Sequence, residues 1–214
     1  MAPMTILDAA RAVRAASQGE EGLDVVERID IDGVQALTLR GGVIVVLGAN
    51  ELSDWFDYNL DFIPDAESEH VGFSVIPGDS GARWHAGFLE HARYVYTFAK
   101  PQHPKLILGH SLGAASAQIV GASLGVPAIG FGSPRPLRQR RPFRGEGWVV
   151  NVCRSDDAIC YLPPDFLGFR HVGSVYWLTP PDINPGEDHS MDHYISAIEA
   201  GVSDTLPETW PPIA

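Results

Sequence analysis

The sequence predicts an α/β fold with a mostly parallel central sheet flanked by helices. From Val25 onward, short apolar stretches of strand length alternate with longer stretches of helical periodicity. Most of the strand stretches are apolar at consecutive positions, which is typical of a parallel sheet covered by helices on both faces. With 214 residues, 45% of them hydrophobic and 20% charged, the chain has the size and composition of one globular domain. We therefore expect a single domain over residues 1–214.

The predicted elements follow one another from a helix near the N-terminus. Thr5, with Asp8 three residues later, resembles a capping box at the start of that helix. Two apolar stretches separated by Arg40-Gly41-Gly42 predict a hairpin. Strands are predicted over residues 34–39, 43–47, 71–76, 106–108, 128–131 and 148–152. Helices are predicted over residues 54–60, 82–99, 112–124 and 189–200.

The charge of the chain excludes some classes of partner. It has 15 basic and 27 acidic side chains, and the net charge of -12 repels phosphate backbones and anionic lipid headgroups. We expect neither a nucleic-acid partner nor membrane insertion, because the longest aliphatic run, residues 43–47, is far shorter than the roughly 20 residues that span a bilayer. No apolar signal-peptide core is recognisable, so we expect a cytoplasmic location, with leaderless export left open. The sequence leaves the oligomeric state open.

Only two cysteines are present, Cys153 and Cys160. We expect them to be small buried apolar residues, with a disulfide or a metal-binding pair as the alternative. Their neighbours supply no further His or Cys at the spacing of a metal site, so we expect no metal and no organic cofactor.

A candidate nucleophile lies in a G-x-S-x-G pattern at residues 109–113, centred on Ser111. The pattern alone is weak, since residues 121–125 repeat it around Ser123. Context separates the two: a predicted strand precedes Ser111 and a predicted helix follows it, as in a nucleophile elbow, whereas Ser123 lies near the end of that helix. Ser111 is therefore the predicted nucleophile.

A serine hydroxyl needs a base to remove its proton and a third group to orient that base. In α/β hydrolases the order along the chain is Ser, then an acid, then His, which leaves His171, His189 and His193 as possible bases. His110, next to Ser111, points away from the hydroxyl in such a turn and is interpreted as a packing residue.

At this point the chain resembles the class 3 lipases, the family of fungal triglyceride lipases and their plant and bacterial relatives. The similarity lies in five segments that occur in the family's order and extend from about Val43 to the C-terminal helix. These segments are Gly48-Ala49-Asn50-Glu51-Leu52-Ser53-Asp54-Trp55, His85-Ala86-Gly87-Phe88, the elbow at residues 109–114, Gly130-Phe131-Gly132-Ser133-Pro134-Arg135, and Asp157-Ala158-Ile159-Cys160-Tyr161-Leu162-Pro163-Pro164.

The resemblance assigns the remaining catalytic roles. It implies that Asp157, rather than the adjacent Asp156, is the acid, and Asp157 also follows a predicted strand whose carboxyl end faces the elbow. It implies a base at the start of the terminal helix, which favours His189 and leaves His193 as the alternative. His171 matches a structural element of the family.

The resemblance also implies an oxyanion hole and a lid. The oxyanion donors would be the amides of Leu112 and Ala49, and Ala49 departs from the Ser or Thr usual in the family, which removes a side-chain donor. Leu52, Trp55 and Phe56 lie in the segment that forms a lid in the fungal lipases, with a fixed surface helix as the alternative interpretation.

We therefore expect a serine carboxylic-ester hydrolase, a lipase or esterase acting on a small-molecule or lipid ester through an acyl-enzyme. The alternatives are a catalytically silent scaffold that binds a ligand or protein, and a thioesterase, phospholipase or acyltransferase. Small size and acidity favour a compact intracellular esterase over a secreted lipase.

Overall fold

The computed structural model describes residues 4–19, 22–48, 63–64, 71–79, 81–181, 189–203 and 205–211. Its helices are α1 (Ile6–Gln18), α2 (Ala86–Ala99), α3 (Leu112–Leu124) and α4 (Met191–Glu199). Short 3-10 helices cover Lys100–Gln102, Glu146–Trp148, Ala158–Tyr161 and Asp165–Leu167. The strands are β1 (Met4–Thr5), β2 (Val25–Ile31), β3 (Val34–Leu39), β4 (Val43–Val46), β5 (Ile63–Pro64), β6 (Val71–Gly72), β7 (Val75–Pro77), β8 (Arg83–His85), β9 (Leu106–His110), β10 (Ala128–Phe131), β11 (Val149–Arg154), β12 (Ser174–Leu178) and β13 (Thr209–Trp210).

The central sheet has the strand order β12-β11-β10-β9-β4-β3-β2 in the described part of the chain. Strands β4, β9, β10, β11 and β12 run parallel to one another. The predicted hairpin is present, since β3 pairs antiparallel with β4, and β2 adds a further antiparallel strand at the edge. The mostly parallel sheet of the sequence prediction is thus confirmed.

Helices cover the sheet on both faces, which is why its strands are apolar at consecutive positions. Within β4, Ile44 and Val46 belong to the cluster packed with α2 and α3, whereas Val43 and Val45 belong to the cluster packed with α1 and α4. Successive side chains of a strand point to opposite faces, so each strand contributes to both clusters.

The predicted cap at the N-terminus is present. The Oγ1 atom of Thr5 accepts a hydrogen bond from the backbone N–H of Asp8 at 3.0 Å, and α1 begins at Ile6. Gly19 ends the helix in the left-handed conformation, with φ of 64°.

Two predicted elements are wrong in detail. Residues 71–76 do not form one strand of the central sheet, because β6 pairs with β5 and β7 pairs with β8. The helix predicted from residue 82 begins only at Ala86, because β8 first pairs with β7, placing Trp84 opposite Ile76. A three-residue stretch is too short for its periodicity to distinguish strand from helix.

Other elements differ from the prediction at their ends or were not predicted. Strand β12 was not predicted, since it lies at the sheet edge and its first four residues are only partly buried or exposed. Trp148 lies in a 3-10 helix, and β11 continues to Arg154. The predicted helix over residues 54–60 lies outside the described residues.

Candidate active site

Ser111 lies in a sharp turn between β9 and α3. Its backbone has φ of 58° and ψ of -126°, in a region that side chains other than glycine rarely adopt and that costs about 1–3 kcal/mol. The turn is held from both sides: the N–H of Ser111 donates to the carbonyl of Phe131 at 3.0 Å, and its carbonyl accepts from Ala114 at 2.9 Å. The sequence therefore folds into the strand-turn-helix that a nucleophile elbow requires.

The two glycines of the pattern are required by close packing. A β-carbon on Gly109 would lie 2.3 Å from the carbonyl oxygen of Gly113. A β-carbon on Gly113 would lie 2.2 Å from the carbonyl oxygen of Val46, in the neighbouring strand β4. Ser123, the centre of the second pattern, lies inside α3 and donates its hydroxyl to the carbonyl of Ile119 at 2.7 Å. Only the first copy has the geometry of an elbow.

Asp157 follows β11 and is 2% exposed. Its Oδ1 atom accepts a hydrogen bond from the backbone N–H of Ile159 at 3.0 Å. Its Oδ2 atom faces Nδ1 of His189 at 2.7 Å and accepts from the hydroxyl of Tyr194 at 2.7 Å. Burial by itself raises the pKa of this carboxyl, but the hydrogen bond and charge of His189 and the bonds from Tyr194 and Ile159 outweigh burial and lower it. The group is therefore held as a carboxylate.

His189 precedes α4 and is oriented by contacts on two sides. Its Nδ1–H donates to Asp157, which leaves the lone pair of the ring on Nε2. That Nε2 atom is buried and has no hydrogen-bond partner within the described residues. The backbone carbonyl of His189 accepts a hydrogen bond from Nε2 of His110 at 2.7 Å. The ring is thus held through Nδ1, and its Nε2 is the nitrogen that no described group engages.

The neighbouring alternatives make other contacts. Asp156 forms an ion pair with Arg154, with Oδ2 2.9 Å from Nη2, and both side chains are buried. His193 lies in the first turn of α4, where its N–H bonds Ser190 and its carbonyl accepts from Arg154 at 3.2 Å. The structure brings Asp157 together with His189, and it directs Asp156 toward Arg154.

His110 and Gly132 position the pair, and neither role was found from the sequence. His110 was interpreted as a packing residue, yet it also anchors the His189 backbone, and burial with the charge of His189 lowers its pKa to about 3. It therefore stays neutral near pH 7. Gly132 has φ of 57°, and a β-carbon there would lie 2.8 Å from Cε1 of His189 and 3.2 Å from Oδ2 of Asp157. A side chain at this position would displace both groups.

Tyr194 was also missed. It is fully buried, and its position four residues after the cap Ser190 places it on the inner face of α4. That spacing is the one sequence signal that could have indicated it. His171, which the sequence analysis interpreted as structural, is buried and donates from Nε2 to the carbonyl of Ser133 at 2.7 Å.

Of the two predicted oxyanion donors, only Leu112 lies in the described part of the chain. Leu112 is the first residue of α3, and the first N–H groups of a helix have no acceptor within the helix. Its amide directly follows Ser111, where such a donor is needed. Ala49 lies outside the described residues, but its neighbour Gly48 packs on the elbow, since a β-carbon on Gly48 would lie 3.0 Å from Cβ of Ser111. The lid residues Leu52, Trp55 and Phe56 lie outside the described residues as well.

The described residues contain no group of three or more His, Cys, Asp or Glu that could hold a metal ion. None of the helices in the described ranges combines the length and apolar character needed to cross a bilayer.

Comparison with known proteins gives no matching family model. Among curated proteins, the chain is 28% identical over 159 residues to a lipase from Rhizomucor miehei, and the match covers 64% of this chain and 41% of the relative. It is 32% identical over 117 residues to the secreted mono- and diacylglycerol lipase 1 of Fusarium solani, covering 46% of this chain and 35% of the relative. The chain is thus similar to fungal lipases, in agreement with the family resemblance of its sequence motifs.

A solved structure agrees with this lipase-like fold. The lipase from Rhizopus microsporus var. chinensis superposes with a TM-score of 0.59 over 90% of this chain and 84% of that one, at 18% identity. At this identity the likeness shows the α/β-hydrolase fold. The matched part of the lipase-like chain spans less than half of the length of each of the two curated relatives.

The expected cytoplasmic location is wrong. The relative from Fusarium solani is a secreted lipase, which points to an extracellular location and also overturns the preference for a compact intracellular esterase. The lack of a recognisable leader does not fix the compartment of this protein, because the matched part of the chain covers less than half of each curated relative.

Proposed function

We propose that this chain is a serine hydrolase that cleaves carboxylic esters, with Ser111 as nucleophile, His189 as base and Asp157 as the acid that orients the base. The observation that carries the proposal is the His189 ring, which bonds Asp157 through Nδ1 at 2.7 Å and has a buried Nε2 with no partner among the described residues. A ring nitrogen that no other group engages, in an imidazole held by a carboxylate, is what proton removal from a hydroxyl requires.

In the first half of the reaction, Oγ of Ser111 attacks the ester carbonyl carbon while its proton passes to Nε2 of His189. The carbonyl oxygen becomes an oxyanion, which the Leu112 amide stabilises; each such donor is worth about 3 kcal/mol of barrier. The amide of Ala49 remains a predicted second donor. The carbon-oxygen bond to the alcohol then breaks, and His189 returns the proton to the departing oxygen.

In the second half, water attacks the acyl-enzyme. His189 takes a proton from the water, the oxyanion forms again at the same donors, and the bond to Ser111 breaks as Oγ regains the proton. The products are a carboxylic acid and an alcohol. Asp157 stays ionised throughout, since its role is to hold the His189 tautomer and to stabilise the imidazolium that forms.

Lipid esters of the acylglycerol type are the proposed substrates. The two curated relatives are a lipase and a mono- and diacylglycerol lipase, which supports this class for the present chain. We further propose that residues 1–214 form one domain. We also propose that this domain has no nucleic-acid partner, because its net charge of -12 repels phosphate backbones. The lid formed by Leu52, Trp55 and Phe56 stays a prediction.

The first test is Ser111→Ala, assayed with a chromogenic acyl ester. We expect turnover to fall about a millionfold, as removal of a triad nucleophile can produce. Ser123→Ala is the matched control, because it changes the other G-x-S-x-G serine and should leave turnover near that of the wild type. Hydrolysis by Ser111→Ala at the wild-type rate would reject the proposal.

The second test determines which of the two histidines, His189 or His193, acts as the base. His189→Ala should abolish turnover and His193→Ala should not; the reverse result would transfer the role to His193.

A fluorophosphonate should label Ser111 in the wild type, and an unlabelled serine would indicate a silent binding module. Turnover of an ester series of increasing chain length, below and above the micelle threshold, would reveal the preferred acyl group and any interfacial activation. Thioesters and phospholipids in the same assay test the thioesterase and phospholipase alternatives.

A further inference from the structure

A cavity of about 560 Å³ lies between α2 and α3, and we refer to it as the α2–α3 cavity. Its volume falls within the range of pockets that hold small molecules, about 300–1,000 Å³. Ser111, Asp157 and His189 do not line it. It contacts α3 at Ile119 and Ser123, which lie roughly 12–18 Å along the helix from Ser111 at the usual helical rise. The cavity is therefore separate from the proposed active site.

The inner wall of the α2–α3 cavity is apolar. Side chains from β8, α2, α3 and the loop before the 3-10 helix Glu146–Trp148 contribute to it, among them Trp84, Leu89, Ala92, Ile119, Val120 and Phe143. All of these except Phe143 are buried, and the rings of Trp84 and Phe143 meet edge to face with centroids 5.6 Å apart. Such a wall fits a hydrocarbon chain, because each methylene group that leaves water adds favourable free energy.

Two arginines, Arg93 in α2 and Arg144 in the loop after β10, also line this cavity. Both are exposed, and neither guanidinium forms an ion pair or a hydrogen bond with a described residue. Arg144 ends a segment, residues 135–144, that carries five of the 15 basic side chains of the chain and no acidic one. In a chain of net charge -12, such a segment attracts anions locally. The fork of a guanidinium matches the two oxygens of a carboxylate.

We propose that the α2–α3 cavity binds the anion of a fatty acid, with the hydrocarbon chain against the apolar wall and the carboxylate facing Arg93 and Arg144. The need for an apolar chain with an anionic end follows from the cavity itself. The choice of a fatty acid among such ligands rests on the proposed function, because ester hydrolysis releases a carboxylic acid. The cavity is then a product site apart from Ser111.

Asp79 gives the proposal a second prediction of opposite sign. It is the acidic side chain among the described residues that line the cavity, and it forms no ion pair with a described arginine. Its carboxylate repels the carboxylate of a bound fatty acid, whereas Arg93 and Arg144 attract it. Asp79→Asn should therefore strengthen binding, while loss of the arginines should weaken it.

The experiment titrates fatty-acid anions, each below its micelle threshold, into the wild-type protein in a calorimeter. From octanoate to decanoate to dodecanoate, each step should tighten binding about tenfold, because each buries two more methylene groups. Decyltrimethylammonium has a similar chain with a cationic end and should not bind. Asp79→Asn should bind decanoate more tightly than the wild type does.

Variants of the cavity locate the ligand. The double variant Arg93→Gln/Arg144→Gln should bind decanoate about tenfold more weakly, as the loss of two exposed ion pairs predicts. Its matched control is Arg28→Gln/Arg140→Gln, which removes the same charge from exposed arginines that do not line the cavity and should bind as the wild type does. Ser123→Trp places a large ring at an exposed lining position and should abolish binding.

Several results would overturn the proposal. These are no binding of decanoate, equal binding of the cationic amphiphile, and decanoate binding that neither the arginine variant nor Ser123→Trp changes. Binding of phosphatidylglycerol vesicles without binding of decanoate would assign the arginines to a lipid surface instead. Decanoate held at the proposed active site would remain in the arginine variant, so the difference from the wild type reports the cavity.

The titrations do not depend on ester hydrolysis, and Ser111→Ala should retain the binding that Arg93 and Arg144 support. Hydrolysis without binding in the cavity would reject this inference alone. Binding in the cavity without hydrolysis would reject the proposed function and leave a binding site for an anionic amphiphile.

Discussion

The hydroxyl of Tyr194 and the ring of His189 meet at one oxygen, Oδ2 of Asp157, each at 2.7 Å. Both residues are carried by the same short segment, since His189 precedes the cap of α4 and Tyr194 lies in its first turns. The start of α4 therefore brings the proposed base and a second hydrogen-bond donor to the proposed acid together. Any change that moves this helix relative to β11 should disturb both bonds at once.

Tyr194→Phe should lower turnover about tenfold, because it removes one hydrogen bond to a buried carboxylate, an interaction worth about 1.5–3 kcal/mol. The Tyr194 bond lowers the pKa of Asp157, so its loss raises that pKa. Asp157 then becomes protonated at a higher pH than in the wild type. We expect the acidic limb of the kcat profile to move to higher pH, measured with a soluble chromogenic ester.

Tyr161→Phe is the matched control for this shift. The Tyr161 hydroxyl donates to the carbonyl of Ser155 at 2.9 Å and belongs to the 3-10 helix that follows Asp157. Its loss should leave the acidic limb in place. Equal pH profiles for Tyr194→Phe and the wild type would show that Tyr194 supports the fold only.

The adjacent acids Asp156 and Asp157 should give opposite results when each is changed to Asn. Asp157→Asn should lower kcat by about 10⁴, because the amide favours the wrong tautomer of the base. Asp156→Asn should instead lower the free energy of unfolding by about 3–5 kcal/mol, since it breaks a buried ion pair with Arg154. Urea unfolding and turnover, measured on both variants, check the distinction. A larger loss of turnover in Asp156→Asn would reverse the proposed roles.

The local parts of the fold were predictable from the sequence. The strand before Ser111 and the helix after it are each long enough to show their own period, and the glycines at 109 and 113 mark the tight turn between them. The hairpin of β3 and β4 was equally visible, because Gly41 and Gly42 lie between two apolar runs.

The parts that depend on long-range contacts were not predictable. Strand β8 forms because Trp84 pairs with Ile76, and no local pattern reveals that pairing. Gly132 has an ordinary sequence context, and only the approach of His189 from 57 positions later in the chain explains why a side chain is excluded there. The family resemblance supplied Asp157 and His189, whereas the third partner, Tyr194, needed the fold.

Gly132→Ala should lower kcat about a hundredfold, because a displacement of about 1 Å in a catalytic group can have that effect. The new methyl group would lie 2.8 Å from Cε1 of His189, inside the ring's contact distance. Gly201→Ala is a close control, since Gly201 has φ of 64° but nothing within 4 Å of a β-carbon. Both variants place alanine at a positive φ, so the loss of turnover that Gly132→Ala shows beyond Gly201→Ala reports the contact with His189. Equal turnover in the two would show that the His189 site tolerates the methyl group.

A largely buried histidine outside the site should make the stability of the protein depend on pH. Nδ1 of His91, in α2, lies 2.7 Å from Oγ of Ser116 in α3, and burial lowers the pKa of His91 to about 4. A histidine in an unfolded chain has a pKa of about 6.5. Between these two values the unfolded state binds a proton that the folded state does not, so acidification favours unfolding. Burial and the charge of His189 lower the pKa of His110 to about 3, which acts in the same direction.

The stability that neutral His91 contributes is fully present above pH of about 6.5 and is lost as the pH falls toward about 4. The loss in the free energy of unfolding is about 3 kcal/mol, because one pKa unit corresponds to about 1.36 kcal/mol. His91→Gln retains a side chain that can bond Ser116 but cannot titrate, so its free energy of unfolding should decline less over this window. Urea unfolding of both proteins at a series of pH values measures the two slopes. Above neutral pH the two curves should run parallel, which controls for any constant effect of the substitution. Curves that stay parallel down to pH of about 4 would show that His91 is protonated as readily in the folded protein as in the unfolded one.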